Sequence, residues 1–341
     1  MNRLRIFSAN FLLATLLVFG SCLPSSSTDD GEINITVSGF SIMKEPLEKS
    51  IFPSFAAKWK REHGEDVHFT SSFAGSETIT NQILQGLGVD VAILSIERDV
   101  ERLAQSGMVT ANWRLLPHQG IINTTPFIIL VRKGNPKSIH DFPDLAKPGV
   151  NLIHPDPVNS GGAQWSVLAI YGSELKKSEK QTGLYDQARA LQTLQAVWHR
   201  VMSTPASARE ARTQFETGYG DALITYELEG LLMKEAGAPF EIVVPQSTIF
   251  SEHPAVIIDR NVSARLRPVV EGFLQYLWSE EAQREFVKHN FRSVTDESLN
   301  DANKELVKIE LPFTIELFGG WTRAYPEIIE GVWRNQVQNR K

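Results

Sequence analysis

A serine followed by two glycines gives this chain its most chemically suggestive segment, Asp156-Pro157-Val158-Asn159-Ser160-Gly161-Gly162-Ala163-Gln164-Trp165. A turn-forming run passes through a small hydroxyl residue into a segment whose apolar positions, Trp165, Leu168, Ala169 and Tyr171, have helical spacing. A helix N-terminus carries unpaired backbone N–H groups and a partial positive charge, so it can hold an oxyanion without a cationic side chain. Glycine leaves no Cβ between those amides and a ligand. The same residues also make an ordinary capped helix start, since serine is a favoured N-cap. Two further places repeat the pattern. Phe73-Ala74-Gly75-Ser76-Glu77-Thr78 runs from a strand into a helix, and Ser203-Thr204-Pro205-Ala206-Ser207-Ala208-Arg209 opens another through Ala211 and Phe215. Three small-residue helix starts, each after a strand-like segment, could converge on one anion.

Other chemistry is thin. The eight histidines are scattered, and His63 and His68 have no familiar metal-ligand spacing, so no metal and no cofactor are expected. The turn around Ser76 lacks the Gly-x-Ser-x-Gly form of a hydrolase elbow. A serine hydrolase using the same oxyanion cradle would also need a histidine and an acid alongside, which spacing alone does not decide. The aromatic residues Phe52, Phe55, Trp59 and Trp165 read as core.

The elements that must position these turns alternate short apolar runs with longer amphipathic ones, an α/β pattern. Strands are expected at 33–37, 67–73, 89–95, 127–131, 150–153 and 222–226. Helices are expected at 47–62, 77–87, 97–106, after Gly162, and at 185–201, 266–277, 280–290 and 325–338. The 127–131 run has almost no polar residue, as expected for a strand covered on both faces.

Arg3 and Arg5, the apolar run Phe11 to Phe19, and Gly20-Ser21-Cys22 read as a secretory signal over residues 1–21, too short to span a bilayer. Cys22, the only cysteine, sits where a bacterial lipobox places its lipidated cysteine, although Phe19 is not the usual leucine. Residues 22–32 then form the lipidated residue and a Ser- and Asp-rich tether. Losing Arg3 and Arg5 with the signal takes the net charge from −6 to −8. An acidic surface argues against nucleic acid and against electrostatic attachment to anionic lipid. Any anion is then caught by local dipoles rather than by a general positive field.

From about Ile35 to about Trp321 the chain resembles the bacterial periplasmic sulfate- and thiosulfate-binding proteins of ABC importers. The matching stretches include Leu130-Val131-Arg132-Lys133-Gly134-Asn135-Pro136-Lys137, Ile139-His140-Asp141, Asp144-Leu145, Lys147-Pro148-Gly149-Val150, Ser160-Gly161-Gly162-Ala163, Gly218, Gly220-Asp221, Phe313-Thr314-Ile315 and Phe318-Gly319-Gly320-Trp321. The resemblance implies an α/β fold of the type II periplasmic-binding-protein kind, with two lobes joined by crossover strands around a ligand cleft. Lobe I would be 33–124 plus 249–341 and lobe II 125–248, with crossovers near 123–126 and 246–250. It implies no catalysis, a periplasmic or cell-surface location through the Cys22 anchor, and ABC permease subunits as partners.

Carried over residue by residue, the implied ligand-binding set is Ser41, Ser76, Ser160, Gly161, Gly162, an amide at or beside Ser207, and Tyr226. Tyr226 replaces the family's tryptophan, Ser41 replaces an acid, and Asp156, Val158 and Gln164 stand where the family has Asn, Lys and Arg. Sulfate is fully ionised and only accepts hydrogen bonds, whereas phosphate at neutral pH keeps a proton that a carboxylate would welcome. Glu77, where the family usually has glycine, is either a favourable charge in a first helical turn or an acceptor for a protonated anion. Sulfate or thiosulfate is the first choice of ligand, with phosphate or molybdate as the alternative. Fixed amides do not titrate, so sulfate affinity is expected to be nearly flat around neutral pH.

Overall fold

The computed structural model describes residues 33–338; the signal, Cys22 and the tether lie outside them. Among the described residues ten strands form one sheet: β1 (Ile33–Phe40), β2 (Val67–Ala74), β3 (Val91–Ile93), β4 (Ile121–Arg132), β5 (Leu152–Ile153), β6 (Val201–Ser203), β7 (Ala222–Tyr226), β8 (Phe240–Val243), β9 (Ser247–Ile257) and β10 (Leu311–Phe313). Their order is β2-β1-β3-β9-β4-β7-β5-β6, with β10 beside β9 and β8 beside β4. β1 pairs in parallel with β2 and β3, and β5 pairs in parallel with β6 and β7. These two parallel groups are stitched together by β4 and β9, which run antiparallel to each other.

Each of these two long strands changes partner along its length. β4 pairs with β9 up to Pro126↔Phe250, then with β7 from Phe127↔Tyr226. The change falls at a proline, which has no N–H to give a ladder. β9 pairs with β10 over Ser247–Ile249, with β4 over 250–254, and with β3 over 255–257. The expected strand at 127–131 is thus the second half of a longer one, and all five of its residues are buried.

Helices leave the carboxyl ends of the strands, where open α/β sheets place ligands. β1 passes at Phe40 straight into a helical run over 41–63, made of a 3-10 turn Ser41–Met43, α segments Lys44–Pro46 and Phe52–His63, and a π-wound turn Leu47–Ile51 between them. β2 leads through Gly75 into Ser76–Leu84, and β3 leads into Glu97–Gln105. The longest helix, Gly161–Thr182, begins at the Ser160 cap and stops at Gly183 with φ 76°. It is buried on nearly all sides along its first four turns, which explains why its periodicity is weak. β6 leads through Ser207 into Ala208–Glu216, and β7 leads directly into Glu227–Glu235.

Candidate functional site

Three loops between strand and helix meet at one point. A Cβ placed on Gly75, before Ser76–Leu84, would stand 2.3 Å from the carbonyl oxygen of Asn159 and 2.7 Å from that of Ala206. Gly75 has an ordinary φ of −62°, so glycine is required here by close approach rather than by backbone conformation. The three helix starts singled out by sequence therefore do converge. The first turn of the 41–63 run joins them as a fourth, which sequence did not single out as a helix start.

Between them lies a cavity of about 10 Å³, close to the least space that holds one small polar group. Phe40, Ser41, Ser76, Ser95, Ser160, Gly162, Ala208 and Tyr226 line it, with Ala74 and Gly75, so no charged side chain does. Ser160 Oγ accepts the Ala163 amide at 3.3 Å, and its own hydrogen remains a donor. The amides of Gly161 and Gly162 belong to the first helical turn, which has no intrahelical acceptor for them. Ser207 caps its helix by accepting the Glu210 amide at 3.2 Å, and Ala208 beside it is the residue that reaches the cavity.

Gly162 is packed nearly as tightly as Gly75, and Gly161 somewhat less so. A Cβ on Gly162 would meet the Tyr226 hydroxyl at 2.5 Å, and one on Gly161 would meet Ser95 Cβ at 3.0 Å. Tyr226, at the end of β7, is fully buried and exchanges a 2.9 Å hydrogen bond with Ser95 Oγ; burial raises its phenol well above the usual range, so it stays a neutral donor. Trp165 Nε1 donates to Ser95 O at 2.6 Å and fixes that strand end from the other side. Ser95 closes the site and was not among the expected residues. Its only sequence signal is a hydroxyl at the carboxyl end of a buried strand, just before a helix.

Ser76 is differently engaged. Its hydroxyl donates to Asp99 Oδ2 at 2.6 Å and accepts the Ser95 amide at 2.9 Å. Asp99 is fully buried, and its other oxygen has no hydrogen-bond partner.

Glu77 does not face the cavity. Its carboxylate takes Arg98 Nη1 at 2.7 Å, Arg102 Nη1, and Gln164 Nε2 at 3.0 Å. Two of the departures from the family pattern, Glu77 and Gln164, thus bond to each other behind the site. Asp156, a third, shapes its own turn by accepting Val158 N and Asn159 Nδ2. Arg209, next to Ala208, turns its guanidinium to Glu45 at 2.5 and 2.7 Å and to Glu229 at 2.8 Å. Glu77 and Arg209 are thus paired with other protein groups rather than aimed at the cavity, which is lined by amides and hydroxyls. A larger open cleft of about 850 Å³ beside Phe250 and Arg292 mixes Asp296 and Asp301 with Lys304 and Lys308, and contains none of the expected site residues.

Residues 43–292 match the family model described as bacterial extracellular solute-binding protein. This chain belongs to that family. A sulfate-binding protein of Salmonella typhimurium is 37% identical over 277 residues, covering 80% of this chain and 82% of the relative. One from Synechococcus elongatus is 32% identical over 339 residues, covering 97% and 95%. The solved sulfate-binding protein SubI from Mycobacterium tuberculosis H37Rv superposes with a TM-score of 0.77 at 28% identity, over 87% of this chain and 99% of that one. The resemblance drawn from the anion loop and its flanking motifs is borne out by these matches. So is the fold: an open α/β sheet of the type II periplasmic-binding-protein kind.

Proposed function

We propose that this solute-binding protein captures sulfate or thiosulfate and delivers it to an ABC importer in the inner membrane. The observation that carries this reading is a cavity ringed by helix starts and hydroxyls with no carboxylate on its wall. Such a wall offers amide and hydroxyl donors, which suits a fully ionised dianion, and gives the proton of phosphate no carboxylate acceptor. The relatives, named as sulfate- and thiosulfate-binding proteins, support the same ligand class. A hydrolase reading has no support at Ser76, whose side-chain bonds run to Asp99 and to the Ser95 amide, with no histidine among them. The relatives, named as binding proteins, support the same role here rather than catalysis.

In this reading Ser41, Ser76, Ser160 and Tyr226, with amides at Gly161, Gly162 and the Ser207–Ala208 turn, hold one dianion. Lobe I (33–124 with 249–341) and lobe II (125–248) close on it about β4 and β9, a reading supported by the change of partner after Pro126 on β4 and that at Phe250 on β9. Calorimetric titration of sulfate, thiosulfate, phosphate and molybdate, with small-angle scattering of the same samples, tests it. Sulfate or thiosulfate should bind tightly and compact the protein. Phosphate binding more tightly than either would overturn the assignment. Ser160→Ala should weaken sulfate binding by roughly ten- to hundredfold, the loss of one hydroxyl donor to a buried charged ligand. The lost helix cap costs only about 1 kcal/mol of stability, so melting should change little.

The anchoring reading rests on the lipobox-like Gly20-Ser21-Cys22. Cys22→Ser should release the protein from the membrane fraction. Wild-type protein found wholly soluble after mild lysis would sink this reading.

A further inference from the structure

A serine hydroxyl has one hydrogen and two lone pairs. At Ser76 the hydrogen goes to Asp99 Oδ2 at 2.6 Å, and one lone pair takes the Ser95 amide at 2.9 Å. While Asp99 is ionised, the Ser76 hydroxyl has nothing left to donate to an anion in the cavity, which leaves only the backbone amide of this first helical residue, and a buried negative charge stands directly behind the hydroxyl. If Asp99 holds a proton, it can donate to the second lone pair of Ser76, whose own hydrogen then turns into the cavity. The hydroxyl is then fully used: two bonds accepted, one donated.

We propose that Asp99 is a positioning residue that couples anion capture to proton uptake, switching Ser76 from a donor to the protein into a donor to the ligand. This rests on the sulfate reading above and deepens it. Three features of the site support it. Asp99 Oδ1 is buried without a hydrogen-bond donor, and the nearest cation, Arg102 Nη1, is 3.6 Å away and is shared with Glu77. Glu77, on the neighbouring helix, takes Arg98 as well, so the arginines serve the other carboxylate first. Burial, and after it the Glu77 charge, push the Asp99 carboxyl up to about 8.

Other elements packed against the Glu97–Gln105 helix also carry titratable and charged groups. β9 carries Glu252, pushed up to about 7 by burial and by Glu97 and Glu316, and His253, held neutral by burial at about 3. The C-terminal helical run carries Arg323, which pairs with Glu327, and Tyr325, under the Arg98 guanidinium. None of these takes a hydrogen bond from Ser76.

The sign follows from linkage. Below the free-protein value of Asp99 the carboxyl already holds its proton, and affinity is flat. Above it, binding must draw a proton in, so affinity falls by up to about tenfold per pH unit until the bound-state value is passed. The flat profile expected from amides alone therefore ends on the alkaline side.

The test is calorimetric titration of sulfate, which has no proton of its own in this range, into the full chain at pH 6.5 and 8.5 in buffers of different ionisation heat. Wild type should take up roughly half a proton or more at pH 8.5 and close to none at pH 6.5. Asp99→Asn, whose amide donates to Ser76 permanently, should keep the pH 6.5 affinity and lose both proton uptake and the alkaline slope. Tight sulfate binding with no proton uptake at pH 8.5 would overturn the inference while leaving the ligand assignment standing. A wild-type slope retained in Asp99→Asn would overturn it too. No sulfate binding at pH 6.5 would overturn both. Proton counting on wild type decides the matter even if the variant does not fold.

Discussion

Gly75→Ala should lower sulfate affinity by more than about a hundredfold while leaving the protein folded. Alanine suits the backbone there, where φ is −62°, so no conformational strain arises. The added methyl would instead press on the carbonyl oxygens of Asn159 and Ala206 at 2.3 and 2.7 Å. Both are backbone atoms, so no side chain can rotate aside to relieve the contact. The loops that start the Gly161–Thr182 and Ala208–Glu216 helices must move apart, taking the Ser160 hydroxyl and the amides of Gly161, Gly162 and Ala208 with them. Each hydrogen bond to a buried charged ligand contributes about 1.5–3 kcal/mol. Two weakened together exceed a hundredfold, more than Ser160→Ala alone. Gly88→Ala, with nothing within 4 Å of the new methyl, is the control and should bind as wild type does. Titration of Gly75→Ala within tenfold of wild type would show that the three loops do not jointly form the site.

The contrast between Gly75 and Ser95 shows what the sequence could reveal about the site. Helix starts are written locally, as small residues and a cap after an apolar run, so Ser76, Ser160 and Ser207 were legible. Their meeting point is not local, and Ser95 and Asp99 enter only because the sheet brings β3 beside β1. Resemblance supplied Ser41 and Tyr226, which no spacing rule would have picked. In the fold, β7 was read to the residue, whereas β9 was seen only as a turn-rich crossover. Its Ser247-Thr248-Ile249-Phe250-Ser251-Glu252-His253 run is polar but largely buried. Thr248 Oγ1 donates to Phe127 O at 3.0 Å, Ser251 Oγ donates to Thr125 O at 2.8 Å, and His253 Nδ1 meets Asn123 Oδ1 at 2.6 Å. Polar side chains satisfied by the neighbouring strand hide a buried strand from any reading by hydrophobicity. The helix Glu227–Glu235 was missed for a related reason, since Glu227 and Glu229 are fully buried in ion pairs.

That burial sets up the other large effect. Glu227 follows Tyr226 directly and ties the end of β7 to the chain beyond Phe291. Arg292 Nη2 donates to both carboxylate oxygens at 2.9 and 3.0 Å, and the Val307 amide donates to one at 2.6 Å. Burial still outweighs these partners and holds the Glu227 carboxyl up at about 7. Arg292→Met removes the cation and drives that value higher. The folded value lies above the unfolded one, so the stability linked to this proton is complete below the unfolded value and is lost as pH rises through the folded value. Wild type has lost it by about pH 8, and the variant goes on losing it, at about 1.4 kcal/mol per pH unit, until its own higher value is passed. At pH 6 both folded proteins carry largely neutral Glu227 and differ mainly by lost packing and hydrogen bonds, about 1–2 kcal/mol. At pH 9 the cost should reach about 3–5 kcal/mol, that of stranding a buried charge. Urea unfolding at pH 6 and pH 9 measures the difference. An equal cost at both would mean that Glu227 is not the group that Arg292 compensates.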